Sequence, residues 1–158
     1  MQFEPRDEHR WLQQLAGVWT FEGEAVMSPD QPPEQMAGTE RVRMLGEAWA
    51  VCEMSHGDTD SAPMSLMTLG FDPARDRFVG SFVAGPMSHL WTYEGTLDAA
   101  RRTLTLDTMG PSSDQEGLVP YHDIIEIVSA DERILCSELR GSDGVWRNFM
   151  TSRYRRTG

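Results

Sequence analysis

Leu15-Ala16-Gly17-Val18-Trp19 is where this chain changes period. Before it, Trp11, Leu12 and Leu15 share one face of a short helix expected over about 7–15, with Asp7 placed to cap it and Gly17 to stop it. After it the pattern alternates. Over 17–28, Trp19, Phe21 and Ala25 fall on one side and Thr20, Glu22 and Glu24 on the other, the period of a strand with one buried face.

The same alternation runs to the end of the chain. It is clearest over 88–97, where His89, Trp91, Tyr93 and Leu97 oppose Ser88, Thr92, Glu94 and Thr96, with Leu90 out of place. Over 102–109, Leu104 and Leu106 point inward. Further strands are expected at about 36–45, 48–56, 64–72, 77–84, 120–129, 132–140 and 145–155. Asp72-Pro73, Asp98-Ala99, Ala130-Asp131 and Ser142-Asp143-Gly144 supply turn chemistry between them. About ten short strands joined by short turns favour an all-β, up-and-down antiparallel barrel over a parallel α/β sheet.

In such a meander, successive connections alternate between the two ends. The long ones, Pro29 to Gln35, Gly57 to Pro63 and Gly110 to Val119, fall at one end with Gly85-Pro86-Met87. The tight turns fall at the other, where the helix enters. The layout is a cup plugged by the helix, with its loop-rimmed mouth the place for function.

The 158 residues suit one domain, 1–158, with the barrel over about 17–156. With 39% hydrophobic and 25% charged residues, the composition is that of a soluble globular protein. A net charge of −11 argues against nucleic acid as a partner, and no apolar run is long enough for a membrane span. The polar stretch Met1 to Arg10 is unlike a secretory leader, and Cys52 and Cys136 have no metal or Cys-x-x-Cys spacing. They are expected as reduced core thiols of a cytoplasmic protein, with a disulfide the alternative.

Met27, Met36, Met64, Met87 and Met109 flank the connections at the proposed mouth, where flexible, polarizable side chains suit an apolar guest. His89, Trp91 and Tyr93 add aromatic area with polar handles, the mixture of small-molecule pockets. The candidate ligand-binding residues are Trp49, Glu53, Met67, His89, Trp91, Tyr93, Tyr121 and Met150. An inward carboxylate, from Glu40, Glu53 or Glu126, would need a partner such as Arg43 or Arg153. Arg153 or Arg155 is the expected arginine over Trp19 at the closed end. His56, His89 and His122 map near the mouth without a metal-binding spacing, so no metal is expected. Phosphate-loop and hydrolase motifs do not occur.

Leu69-Gly70-Phe71-Asp72-Pro73, Arg77-Phe78-Val79-Gly80 and His89-Leu90-Trp91-Thr92-Tyr93-Glu94-Gly95 resemble an uncharacterised bacterial family known as a domain of unknown function. Gly110-Pro111, Asp143-Gly144-Val145-Trp146, Phe149-Met150, Arg153-Tyr154-Arg155-Arg156 and the opening His9 to Trp19 fit as well, so the resemblance spans nearly the whole chain. It implies a lipocalin-like (calycin) barrel and brings no activity or catalytic residues. The chain is less similar to haem-binding, nitrobindin-like barrels, which carry an iron-ligating histidine near the C-terminus; here the last histidine is His122.

The leading expectation is a cytoplasmic binding protein for a small apolar or amphipathic molecule, with no cofactor. The alternatives are an enzyme using His89 and Tyr93 for proton transfer, a haem-binding barrel, and a filled barrel with an interaction role, such as a homodimer. The enzyme reading requires a carboxylate or arginine within hydrogen-bond reach of His89 or Tyr93.

Overall fold

A computed structural model describes residues 2–26, 28–58 and 60–158. Helix α1 (Asp7–Gln13) precedes ten strands: β1 (Gly17–Ala25), β2 (Glu34–Leu45), β3 (Trp49–Ser55), β4 (Ser65–Asp72), β5 (Arg77–Ala84), β6 (Trp91–Leu97), β7 (Thr103–Ser112), β8 (Gln115–Ser129), β9 (Glu132–Arg140) and β10 (Trp146–Arg156). Each strand pairs antiparallel with the next, and β10 returns to β1 with Tyr154 opposite Phe21, closing the barrel. The fold is the up-and-down lipocalin-like barrel expected from the alternation, and closure leaves no unpaired sheet edge.

Helix α1 is shorter than expected. Arg6, not Asp7, is its N-cap. The Arg6 N–H donates to His9 Nδ1 at 2.9 Å, while Asp7 pairs with Arg10 at 2.9 Å. Gly17 opens β1 at φ +136°, a backbone that side chains rarely adopt, and a Cβ there would collide with Arg156. A second difference lies at 110–119, expected as a loop. Instead β7 and β8 continue as a hairpin, with Gly110 opposite Val119 and Pro111 opposite Leu118. Gly110 and Pro111 read as chain breakers, but Gly110 serves to admit the Trp91 ring and Pro111 keeps a carbonyl that accepts the Tyr121 hydroxyl.

The helix plugs one end. His9 Nε2 donates to the Phe71 carbonyl at 3.1 Å, Trp11 Nε1 to the Arg101 carbonyl at 2.8 Å, and Trp19 Nε1 to the Leu15 carbonyl at 2.9 Å. These bonds satisfy polar atoms that burial would otherwise strand. Around them Leu12, Leu15, Trp19, Leu69, Phe78, Leu104 and Leu106 are almost fully buried.

One ion pair crosses this packed half. The register turns Glu40 and Arg133 inward, and the Arg133 guanidinium donates to the Glu40 carboxylate. The guanidinium lies 4.7 Å from the Trp19 ring centre and 4.1 Å from that of Tyr154, and Arg156 covers Trp19 at 4.3 Å. Arginines 133 and 156 therefore take the place expected for Arg153 or Arg155. Trp19 pairs with Arg156, so the parity of β10 turns Arg153 outward, where it meets Glu132.

Replacing one member of this pair should expose the cost of a lone buried charge. Arg133→Ala is expected to lose about 3–5 kcal/mol in urea denaturation. A Glu40→Leu, Arg133→Met double variant should recover most of that loss. A double variant as unstable as the single one would show that the charge pair is not the source.

Candidate functional site

At the end opposite the helix, the barrel interior changes character. The connections after β1, β3, β5, β7 and β9 all lie there, as the alternation requires. The register turns Met36, Met54, Met67, Phe82, Trp91, Tyr121, Leu139 and Met150 inward at this end. All of them are half-buried rather than buried. Met36, Met54, Met67 and Phe82 pack against the core below, and a closed sheet covers inward side chains from outside, so their remaining exposure is toward the mouth. The gradient from a packed floor to an uncovered upper wall defines a cup.

Trp91 lies against the wall where Gly110 leaves room. Its ring meets His89 edge-on at 4.8 Å and Tyr121 at 4.9 Å, and Tyr121 meets Phe149 at 5.8 Å. Below this aromatic run is a polar cluster. Tyr93 donates its hydroxyl to one oxygen of Asp123, and Ser137 Oγ donates to the other at 2.6 Å. Burial pushes the Asp123 carboxyl above the ordinary range, against the pull of the Ser137 and Tyr93 hydrogen bonds and the His122 charge. Burial, then the neighbouring Asp123, push the Tyr93 hydroxyl well up. Trp91 Nε1 and Thr108 Oγ1 are buried with no hydrogen-bond partner. On β3, burial also raises the inward thiol of Cys52, which removes its nucleophilic character.

Met67, Trp91, Tyr93, Tyr121 and Met150 are thus brought to one interior. His89 stands at its mouth, half-buried, with Nε2 bonded to the Met109 carbonyl at 2.9 Å. Trp49 and Glu53 are not part of it. Their partners Leu45 and Arg41 share the outer face, while Ala50, Cys52 and Met54 turn in. Trp49 instead covers Gly70 and lines an outer groove of about 620 Å³ with Phe3, His9 and Phe71. Glu53 faces Arg43 at 3.7 Å on the surface.

Of the mouth methionines, Met36 turns in, Met64, Met87 and Met109 are exposed, and Met27 lies outside the described residues. Among the described residues the inward carboxylates are Glu40, Asp123 and, at the rim, Glu34. The sequence reading passed over Asp123, although it shares parity with Tyr121 and Ile125. Both cysteines are free, Cys52 buried in the core and Cys136 half-buried on the outer face.

His122 points outward. Its Nε2 lies 2.9 Å from Asp107, its Nδ1 2.8 Å from Glu138, and its ring stacks on Trp146 at 3.8 Å. The histidines expected near the mouth therefore do not converge. Among the described residues, no three histidine, cysteine, aspartate or glutamate side chains form a group able to hold a metal ion. An iron-ligating histidine also has no place on β10, whose sequence contains none.

Fold and interior together define a closed, ten-stranded antiparallel barrel plugged at one end by a helix. Residues 4–156 match a family model described as "Protein of unknown function (DUF1579)", and the chain belongs to that family. No curated protein matches significantly. Among solved structures, Rv2717c from M. tuberculosis is similar, with a TM-score of 0.67, 13% identity, and 98% of this chain and 100% of that one covered. A redesigned beta barrel aligns with a TM-score of 0.42 at 13% identity, covering 94% of this chain and 96% of its own. A de novo designed fluorescence-activating beta barrel aligns at 0.37 and 14% identity, covering 92% and 96%.

The raised Asp123 carboxyl has a consequence for stability. Below the unfolded value of 3.8 both states are protonated and burial of the charge costs nothing. As pH rises from there through the higher folded value, the unfolded state releases its proton first, and stability falls. Asp123→Asn removes this fall. Its stability relative to the unsubstituted protein should rise as pH climbs from the unfolded value of 3.8 through the higher folded value in paired denaturation curves. A difference that is flat or falls across that window would mean the carboxyl is not raised.

Proposed function

We propose that the protein binds a small apolar or amphipathic molecule in the open half of the barrel. One observation carries this reading: inward-facing Met36, Met54, Met67, Phe82, Trp91, Tyr121 and Met150 are all only half-buried, whereas inward Trp19, Val42, Ala50, Leu69, Phe78, Leu104 and Leu106 toward the helix are buried. Methionine and aromatic walls with a few polar groups fit a moulded pocket for one ligand. The unpartnered Trp91 Nε1 is a donor suited to an acceptor on that ligand. Two free cysteines suit a reducing compartment, and we place the protein in the cytoplasm. Among the described residues, no helix is long and apolar enough to cross a membrane.

A second reading, proton transfer inside the barrel, draws on the hydrogen bond between Tyr93 and Asp123. That contact meets the requirement set by the sequence for Tyr93, with His89 at the mouth and bonded elsewhere. In this reading the bound molecule would leave chemically changed, and Tyr93→Phe would stop the change without releasing the molecule.

Native mass spectrometry of protein purified from its own host tests the binding reading. The expected result is a co-purifying small molecule near unit stoichiometry, lost when Trp91→Ala and Met67→Ala are combined. A homogeneous apo mass, together with no uptake from a panel of apolar compounds, would overturn it.

A further inference from the structure

Charge is distributed unevenly between the two ends of the barrel. The mouth connections carry Asp30, Asp58, Asp60, Asp114 and Asp143 and no arginine. The connections at the helix end carry Arg75, Arg101 and Arg102 among their charges. Of the arginines at the strand ends beside the mouth, Arg147 is held by Asp143 at 2.6 Å, which leaves Arg140. The mouth therefore presents a negative field to an approaching molecule.

The same sign continues inside. At the rim the register also turns Glu34 and Arg147 inward, Arg147 held by Asp143; between them and the Glu40–Arg133 pair, Asp123 is the inward charged side chain among the described residues. It accepts from Tyr93 and Ser137 and has no cation beside it in the lumen. A carboxylate has room for about four hydrogen bonds, so acceptor capacity remains. On the neighbouring strand, Thr108 Oγ1 faces the same interior, is 7% exposed and has no partner. Trp91 and Tyr121 stand above with aromatic rings, which attract cations.

We infer that the molecule held in the open half carries a protonated amine on an apolar body, with the ammonium bonded to Asp123 and Thr108 beneath the Trp91 and Tyr121 rings. This rests on the binding reading above and assigns the chemistry of its ligand. An ammonium supplies the donors that Asp123 and Thr108 can accept and the counter-charge that the buried carboxylate lacks. A fatty acid would set a second carboxylate beside the first.

Decylamine, decanol and decanoic acid share one apolar chain and differ in the head group. Calorimetric titration of all three at neutral pH, into the unsubstituted protein and Asp123→Asn, separates amine preference from binding itself. The amine should bind about tenfold more tightly than the alcohol, because a hydrogen bond to a charged group outweighs a neutral one. Asp123→Asn should abolish that advantage while decanol still binds. Decanol binding without an amine preference would overturn the amine inference and keep the binding reading. So would tighter binding of the acid, or an amine preference that survives Asp123→Asn. Binding of none of the three would overturn both. The comparison within the unsubstituted protein decides the matter even if Asp123→Asn fails to fold.

Discussion

The Glu40–Arg133 pair, held between the rings of Trp19 and Tyr154, divides the barrel interior in two. A ten-stranded barrel is wider than its own side chains fill easily. Here the width near the helix is taken up by large, flat groups: an indole, a phenol and a guanidinium stacked across the bore. A buried guanidinium needs a carboxylate, and Glu40 on β2, three strands round the wall from β9, supplies it. The pair ties β2 to β9 across the lumen, at the level where the packed floor gives way to the uncovered upper wall. Without that crossing plug, the helix would have to close a far wider opening.

Above the plug, polar groups are spaced rather than paired off completely. A barrel interior evolved simply to be solid would fill this height with branched aliphatic side chains. It holds methionines, aromatic rings, a carboxylate under two hydroxyls, and two polar atoms left without partners. Each unpartnered atom costs stability in the empty protein. A guest that supplies the missing partner recovers that cost on binding, so the arrangement favours an occupied cup over an empty one. The glycine at 110 serves the same end, since it lets the Trp91 ring occupy the space a side chain there would fill.

Much of this was legible where one strand face met the core and the other met water. Trp91, Tyr93 and Leu97, or Leu104 and Leu106, alternate cleanly with polar residues, and their inward direction followed from period alone. The reading failed on β3, where Trp49-Ala50-Val51-Cys52 is apolar at every position. Both faces of that strand are partly covered, since outward Val51 is itself buried, so size rather than polarity decides which residues turn in. Small Ala50 and Cys52 go to the core and bulky Trp49 to the outside. Arg133 and Asp123 were hidden for the opposite reason. An inward charge breaks the alternation that marks a strand, and its partner lies on a distant strand that spacing along the chain cannot reveal.

The placement of Asp123 shows how such a residue can be reached from the pattern it violates. Tyr121, Ile125 and Ile127 set the parity of β8, and that parity forces position 123 into the lumen whatever occupies it. A carboxylate there would be unfavourable in a solid core. Its presence, hydrogen-bonded on both oxygens and with no cation paired to it, therefore argues that the space beside it is meant to be filled by something other than protein.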